Sequence, residues 1–233
     1  MLILCLDSSE RILKTALFEE GESLGESYSN SMGNHSEKII SQIDSLFQDS
    51  SRKLADVDLL AINTGPGSFT GLRIGASAMA GLSISKNIPL FGFNAFEIML
   101  EDIKDSDGSY LLVIPCRGDE FYYKYTEISQ GAETNRAEPQ IAAPVKIEIP
   151  SNITVTVLGP GYESFLDLAP ENIQKRLSTD LRYDDAPTLH SLALLALNRY
   201  KTKPDMISGI PELYYMAPSQ AEVNLARRRR NRG

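Results

Sequence analysis

The sequence is poor in the side chains that build metal and nucleophile sites. It has two histidines, His35 and His190, and two cysteines, Cys5 and Cys116. One helical turn brings two imidazoles onto one metal, yet His35 is followed four places on by Ile39 and His190 by Leu194. No paired-histidine metal site is therefore expected. Both cysteines sit in apolar, strand-like runs, the setting of reduced core thiols; this favours a cytoplasmic location. Nowhere is there a run of about 18 apolar residues, so no membrane-spanning helix is expected. MLILCLDSSE has no basic segment ahead of its apolar residues and reads as a buried first strand, not an export signal. The serine of GPGSF, Ser68, lacks the G-x-S-x-G setting of a hydrolase nucleophile.

Basic residues are scarce outside one place. The formal charge is −8, and LARRRRNRG at 225–233 carries Arg227, Arg228, Arg229, Arg230 and Arg232 with no acid. Without those five the chain stands at −13. An acidic body is a poor general surface for RNA, because phosphate contacts need Lys and Arg. The basic segment 223–233 is expected to be disordered and solvated, with RNA or an acidic partner as the alternatives.

Hydrophobic periodicity predicts strands at 2–7, 11–19 and 23–29, then a helix in NHSEKIISQIDSLFQ, with Asn34 and Glu37 at capping-box spacing. Ile39, Ile40, Ile43, Leu46 and Phe47 form its apolar stripe. A strand at 57–63, a helix to about Ser85, a strand at 88–93 and a helix at 94–103 follow. The polar stretch from Lys104 to Gly108 marks a boundary, giving a first lobe at 1–104 and a smaller one at 105–222. In the second, strands are expected at 110–116, 120–128 and 153–159, a loop-rich region at 130–150 and an amphipathic helix at 188–200. Three strands followed by helix, strand, helix, strand, helix is the order of an α/β ribonuclease-H-like unit, as in actin and hexokinase.

INTGPGSFTGLRIG at 62–75 raises the functional question. A Walker A loop needs a lysine, and none lies between Lys53 and Lys86. The dinucleotide fingerprint G-x-G-x-x-G fails by one place, and Pro66 removes a backbone N–H. Only weak phosphate contact is expected, from Gly65, Gly67 and Ser68 together with Asp7, Ser8 and Ser9 on the first strand's end. Asp7 stands where a magnesium-linked carboxylate would, or simply caps its turn. Ser68 or Thr70 can cap the next helix, where Gly71, Gly75, Ala78 and Leu82 share one face. Glycine within a helix costs about 1 kcal/mol against alanine, so a second backbone must come close. Whether it belongs to the chain's own sheet or to a partner stays open.

GPGSFTGLRIG, with LDSSERILKTALFEEG at 6–21, NHSEKII at 34–40 and IPLFGFNAFEIM at 88–99, resembles the TsaB (YeaZ) family over most of residues 2–100. VIPCRGDEFYY at 113–123 and PELYYM at 211–216 are similar to later family segments, but Pro115, Gly118 and Met216 depart from them. The resemblance implies an actin-like fold of the ASKHA superfamily with two lobes, the second degenerate. It implies a non-catalytic subunit in the biosynthesis of tRNA threonylcarbamoyladenosine (t6A). Its partner would be a catalytic, TsaD-like sister, with a TsaE-like ATPase in the larger complex, tRNA touched indirectly and no membrane. Pairing would use the two first-lobe helices, through His35, Ser36, Ile39, Ile40, Ile43, Gly71, Leu72, Gly75, Ala76 and Met79 or a subset. Gly75→Arg is then expected to block pairing and leave the fold intact. A homodimer through the same helices is the expectation when the partner is absent. No tightly held cofactor is implied, with ATP or ADP at the partner interface left open. The alternative is an actin-like small-molecule kinase or ATPase, for which LGPGYESF at 158–165 is the one further glycine-rich candidate.

Overall fold

A computed structural model describes residues 1–30, 35–202 and 211–217, the side chains of His35–Glu37 excepted. The Asn34 cap and the 223–233 segment lie outside the described residues.

Strands β1 (Leu2–Asp7), β2 (Ile12–Glu19) and β3 (Glu22–Asn30) form an antiparallel meander. Helix α1 (His35–Ser50) leads through a 3-10 turn to β4 (Leu59–Asn63), and α2 (Phe69–Lys86) to β5 (Leu90–Phe93). The sheet order is β3-β2-β1-β4-β5, with β1, β4 and β5 parallel. Side chains alternate between faces along a strand, and the two faces have different covers. Leu2, Leu4, Leu6, Leu13, Leu17, Leu60 and Ile62 pack against Ile39 and Ile43 of α1 and Met79 of α2. Ile3, Cys5, Ala16, Phe18, Leu59 and Ala61 pack on the opposite side. Burial on both faces explains why β1 and β4 read as unbroken apolar runs.

Helix α3 (Ala95–Ile103) carries the chain to the second sheet. There β6 (Gly108–Pro115) and β7 (Phe121–Ser129) form a long antiparallel pair, extended by β8 (Ala132–Glu133) and β9 (Gln140–Ala142). Strand β10 (Val155–Leu158), the short helices α4 (Tyr162–Leu168) and α5 (Glu171–Gln174), and β11 (Leu177–Ser178) complete it. The sheet runs β11-β10-β6-β7-β8, with β9 beside β7. The region expected to be loop-rich therefore holds two short strands, and α4, α5 and β11 carry too few residues to show a period.

The last helix, α6 (Leu189–Thr202), packs on the first sheet. It follows the second sheet in sequence but covers the first. Leu189, Leu192, Ala193 and Ala196 fill the face made by Ile3, Phe18 and Ala61. The cause is the apolar back of the first sheet, which has to be covered. Polar contacts fix the helix start. The Thr188 hydroxyl donates to Asp102 of α3 at 2.6 Å and accepts from the Ser191 N–H at 3.1 Å. Lys14 of β2 reaches the carbonyls of Asp185 and Pro187 at 3.3 and 3.4 Å.

Candidate functional site

The glycine loop is explained by the turn that follows β1. Asp7 accepts from the Ser9 N–H at 2.8 Å on one oxygen and from the Asn63 amide at 2.9 Å on the other. The Asn63 side-chain oxygen accepts in turn from the Gly65 N–H at 2.9 Å. The Ser68 N–H donates to the Ser9 carbonyl at 2.6 Å, and the Ser8 hydroxyl to the Gly71 carbonyl at 2.9 Å. Ser68 also caps α2, accepting from the Gly71 N–H at 3.2 Å. The turn at 7–9 is thereby fastened along the first two turns of α2.

That contact leaves no room for side chains. A Cβ on Gly67 would stand 2.3 Å from the Ser9 carbonyl oxygen, and one on Gly71 2.1 Å from that of Ser8. On Gly75 it would stand 2.1 Å from the Ser8 hydroxyl. The second backbone foreseen from the sequence is the chain's own. Gly71 and Gly75 are packed closely against the β1 turn, and a side chain at Gly75 would meet Ser8. Ile39, Ile43, Leu72, Ala76 and Met79 are likewise buried in this protein's own core. His35 and Ser36 lie in the first turn of α1, and their side chains are outside the described set.

The same geometry bears on phosphate contact. Asp7, Ser8 and Ser9 are buried, as is Gly65. Gly67 and Ser68 line a cleft of about 790 Å³ between the lobes, with Glu10, Arg11 and Phe69 on one wall and Ile114, Pro115, Cys116, Tyr122 and Pro160 on the other. Both Asp7 oxygens are engaged within the chain, which is the turn-capping role. Glu10 is held above the usual carboxylate range, to about 7, chiefly by burial and then by the nearby Asp7, with Lys14 opposing. Among the described residues, no three of His, Cys, Asp and Glu come together as a metal site.

One predicted contact residue does face outward. Ile40 is 48% exposed. With Asp44, Phe47, Gln48 and Leu82 it lines a groove of about 320 Å³ between α1 and α2, closed at one end by Arg52, Lys53 and Leu54. Ile74, Ala78 and Leu82 lie half-buried along the outer side of α2, and Ile84 is 76% exposed. Gly81 sits in this row, and a Cβ there would meet nothing within 4 Å. The fold itself does not require that glycine. The fully exposed stripe of α2 carries Thr70, Arg73, Ser77, Gly81 and Ile84.

Two lobes, each built on a mixed sheet, with a cleft between them and a β1 turn facing α2, give an actin-like fold. A structure of the activator of 2-hydroxyisocaproyl-CoA dehydratase from Clostridium difficile matches at a TM-score of 0.51 and 8% identity, over 91% of this chain and 100% of the other. YeaZ from Pseudomonas aeruginosa matches at 0.70 and 20% identity, over 91% and 99%. Residues 29–157 match the family described as TsaD, tRNA N6-adenosine threonylcarbamoyltransferase. The chain belongs to that family, on its TsaB/YeaZ branch. The tRNA threonylcarbamoyladenosine biosynthesis protein TsaB of Escherichia coli (strain K12) is 29% identical over 74% of this chain and 77% of its own length. TsaB of Bacillus subtilis (strain 168) is 29% identical over 54% and 56%.

Proposed function

We propose that this chain is a non-catalytic subunit of cytoplasmic t6A biosynthesis, one that binds and activates a TsaD-like catalytic sister. The observation that carries the proposal is the uncovered outer face of α1 and α2. Ile40, Phe47, Ile74, Ala78, Leu82 and Ile84 present apolar surface there, and Gly81 leaves space for a helix to approach. Paired helices with small residues at the crossing allow close backbone approach, and large exposed apolar patches mark interaction sites. Ala78 and Leu82 share their side of α2 with Gly71 and Gly75, but the β1 turn covers only the two glycines, and on this reading the docking face begins beyond that turn. The internal bonding of Asp7 favours this reading over a kinase or ATPase, since that carboxylate has both oxygens occupied by the chain itself. ATP or ADP, on this reading, belongs to the partner interface.

The test is transfer of threonylcarbamoyl from its adenylate to unmodified tRNA by the TsaD-like protein of the same organism, with the TsaE-like ATPase present. Adding this chain should raise product formation strongly, and the chain alone should form none. Equal product with and without it would contradict the proposal.

A further inference from the structure

Residues 211–217 form a strap from the first lobe to the second beside the interlobe cleft, and its two halves are held in different ways. The first half is bedded in the first lobe. Leu213 packs with the core beneath α1 and α2, and the Tyr214 N–H donates to the carbonyl of buried Thr64 at 2.9 Å. A Cβ on Gly92 would stand 2.6 Å from Pro211, so β5 admits the start of the strap only where it is bare. The second half is held from outside. Tyr215 is 44% exposed, with its ring 5.0 Å from that of Phe69. Its hydroxyl accepts from Arg73 Nε at 3.2 Å, and the Arg73 guanidinium rests 3.8 Å from the centre of the Phe69 ring. Met216 and Ala217, half-buried, pack with the core between α3 and the second sheet.

A cavity of about 150 Å³ lies under the second half, with Phe69 of the first lobe on one side and Cys116 and Tyr122 of the second on the other. Phe69, Cys116 and Tyr122 also line the cleft of about 790 Å³, so the two spaces share walls. We propose that residues 215–217 are a gate on this cleft, hinged at Leu213 and Tyr214 and latched by Tyr215 on Phe69 and Arg73. Local opening begins where burial is least. A core side chain and a backbone bond to a buried carbonyl hold the hinge, whereas the latch is a ring pair and a cation–ring contact at the surface, each weak when exposed. Lifting the gate joins the small cavity to the cleft and uncovers Cys116 from the strap side. Arg73 belongs to the exposed stripe of α2, so the latch stands within reach of any molecule that covers that helix.

Cys116 reports the state of the gate, because Cys5 is fully buried and burial pushes its thiol well above the ordinary range. The test measures how fast dithionitrobenzoate modifies Cys116 in the full chain, for wild type, Tyr215→Ala and Tyr215→Phe. Hydrogen exchange at the Tyr214 amide is read in parallel. Tyr215→Ala, which removes the ring and its cation contact, should raise the Cys116 rate roughly tenfold. Tyr215→Phe keeps the ring and loses the bond to Arg73, and should raise it only about twofold. The Tyr214 amide should stay as protected as in wild type in both variants. An unchanged Cys116 rate in Tyr215→Ala would overturn the gate. So would loss of Tyr214 protection in step with the faster modification, since the strap would then leave its seat as one unit. If circular dichroism shows that Tyr215→Ala does not fold, Tyr215→Phe decides, and a rate equal to wild type there would overturn the latch.

Discussion

The Ser8 hydroxyl donates to the carbonyl of Gly71 at 2.9 Å, across 63 positions of sequence, and the Ser8 carbonyl occupies the space a side chain on Gly71 would need. Gly71 and Gly81 therefore make opposite predictions. Gly71→Ala forces apart β1 and α2 and should cost about 3 kcal/mol or more, as overpacking against backbone does. Gly81→Ala meets open space and should gain about 0.5–1 kcal/mol from helix propensity. Urea unfolding of both variants checks the pair; equal effects would contradict the packing described.

Glu10 makes stability depend on pH. Its carboxyl is raised by burial to about 7 in the folded chain, so the folded state holds the proton more tightly than the unfolded state. The favourable contribution is complete below the ordinary carboxylate pKa and is lost as pH rises through about 7. Glu10→Gln should therefore be nearly neutral at pH 4 and stabilising by about 2 kcal/mol at pH 8. Unfolding curves at the two pH values check this, and a variant equally stable relative to wild type at both would contradict it.

Helix α6 is a structural part of the first lobe. A fragment ending at Lys104 leaves Ile3, Phe18, Ala61 and Phe93 without their cover and should not fold, as judged by amide proton dispersion. In the whole chain, Leu192→Ala should cost about 2–5 kcal/mol. Thr188→Ala, which removes the helix cap and its bond to Asp102, should cost about 1–2 kcal/mol.

The first lobe was legible because its strands and helices have strong periods and stand in a recognisable order. The allegiance of α6 was not, because chain order places it after the second sheet and nothing in its apolar spacing says which sheet it covers. The small elements β8, β9, β11, α4 and α5 are held by tertiary pairing rather than by pattern. At the site, the glycines announced a close approach but not its partner: a bare helix face looks the same whether Ser8 or a second protein lies against it. The strongest apolar positions, Ile39, Ile43, Leu72 and Met79, drew attention as contacts and are core residues. Ile40, next to Ile39 in sequence and of the same type, is 48% exposed, and only the fold separates the two.

The most direct measurement is size-exclusion chromatography of this chain mixed with the TsaD-like protein of the same organism, repeated with a variant carrying Ile40→Glu and Gly81→Arg. The unsubstituted chain should co-elute at the size of a complex, and the variant should elute alone with an unchanged circular dichroism spectrum. Separate peaks for the unsubstituted chain, or normal pairing by the variant, would contradict docking through the outer face of α1 and α2.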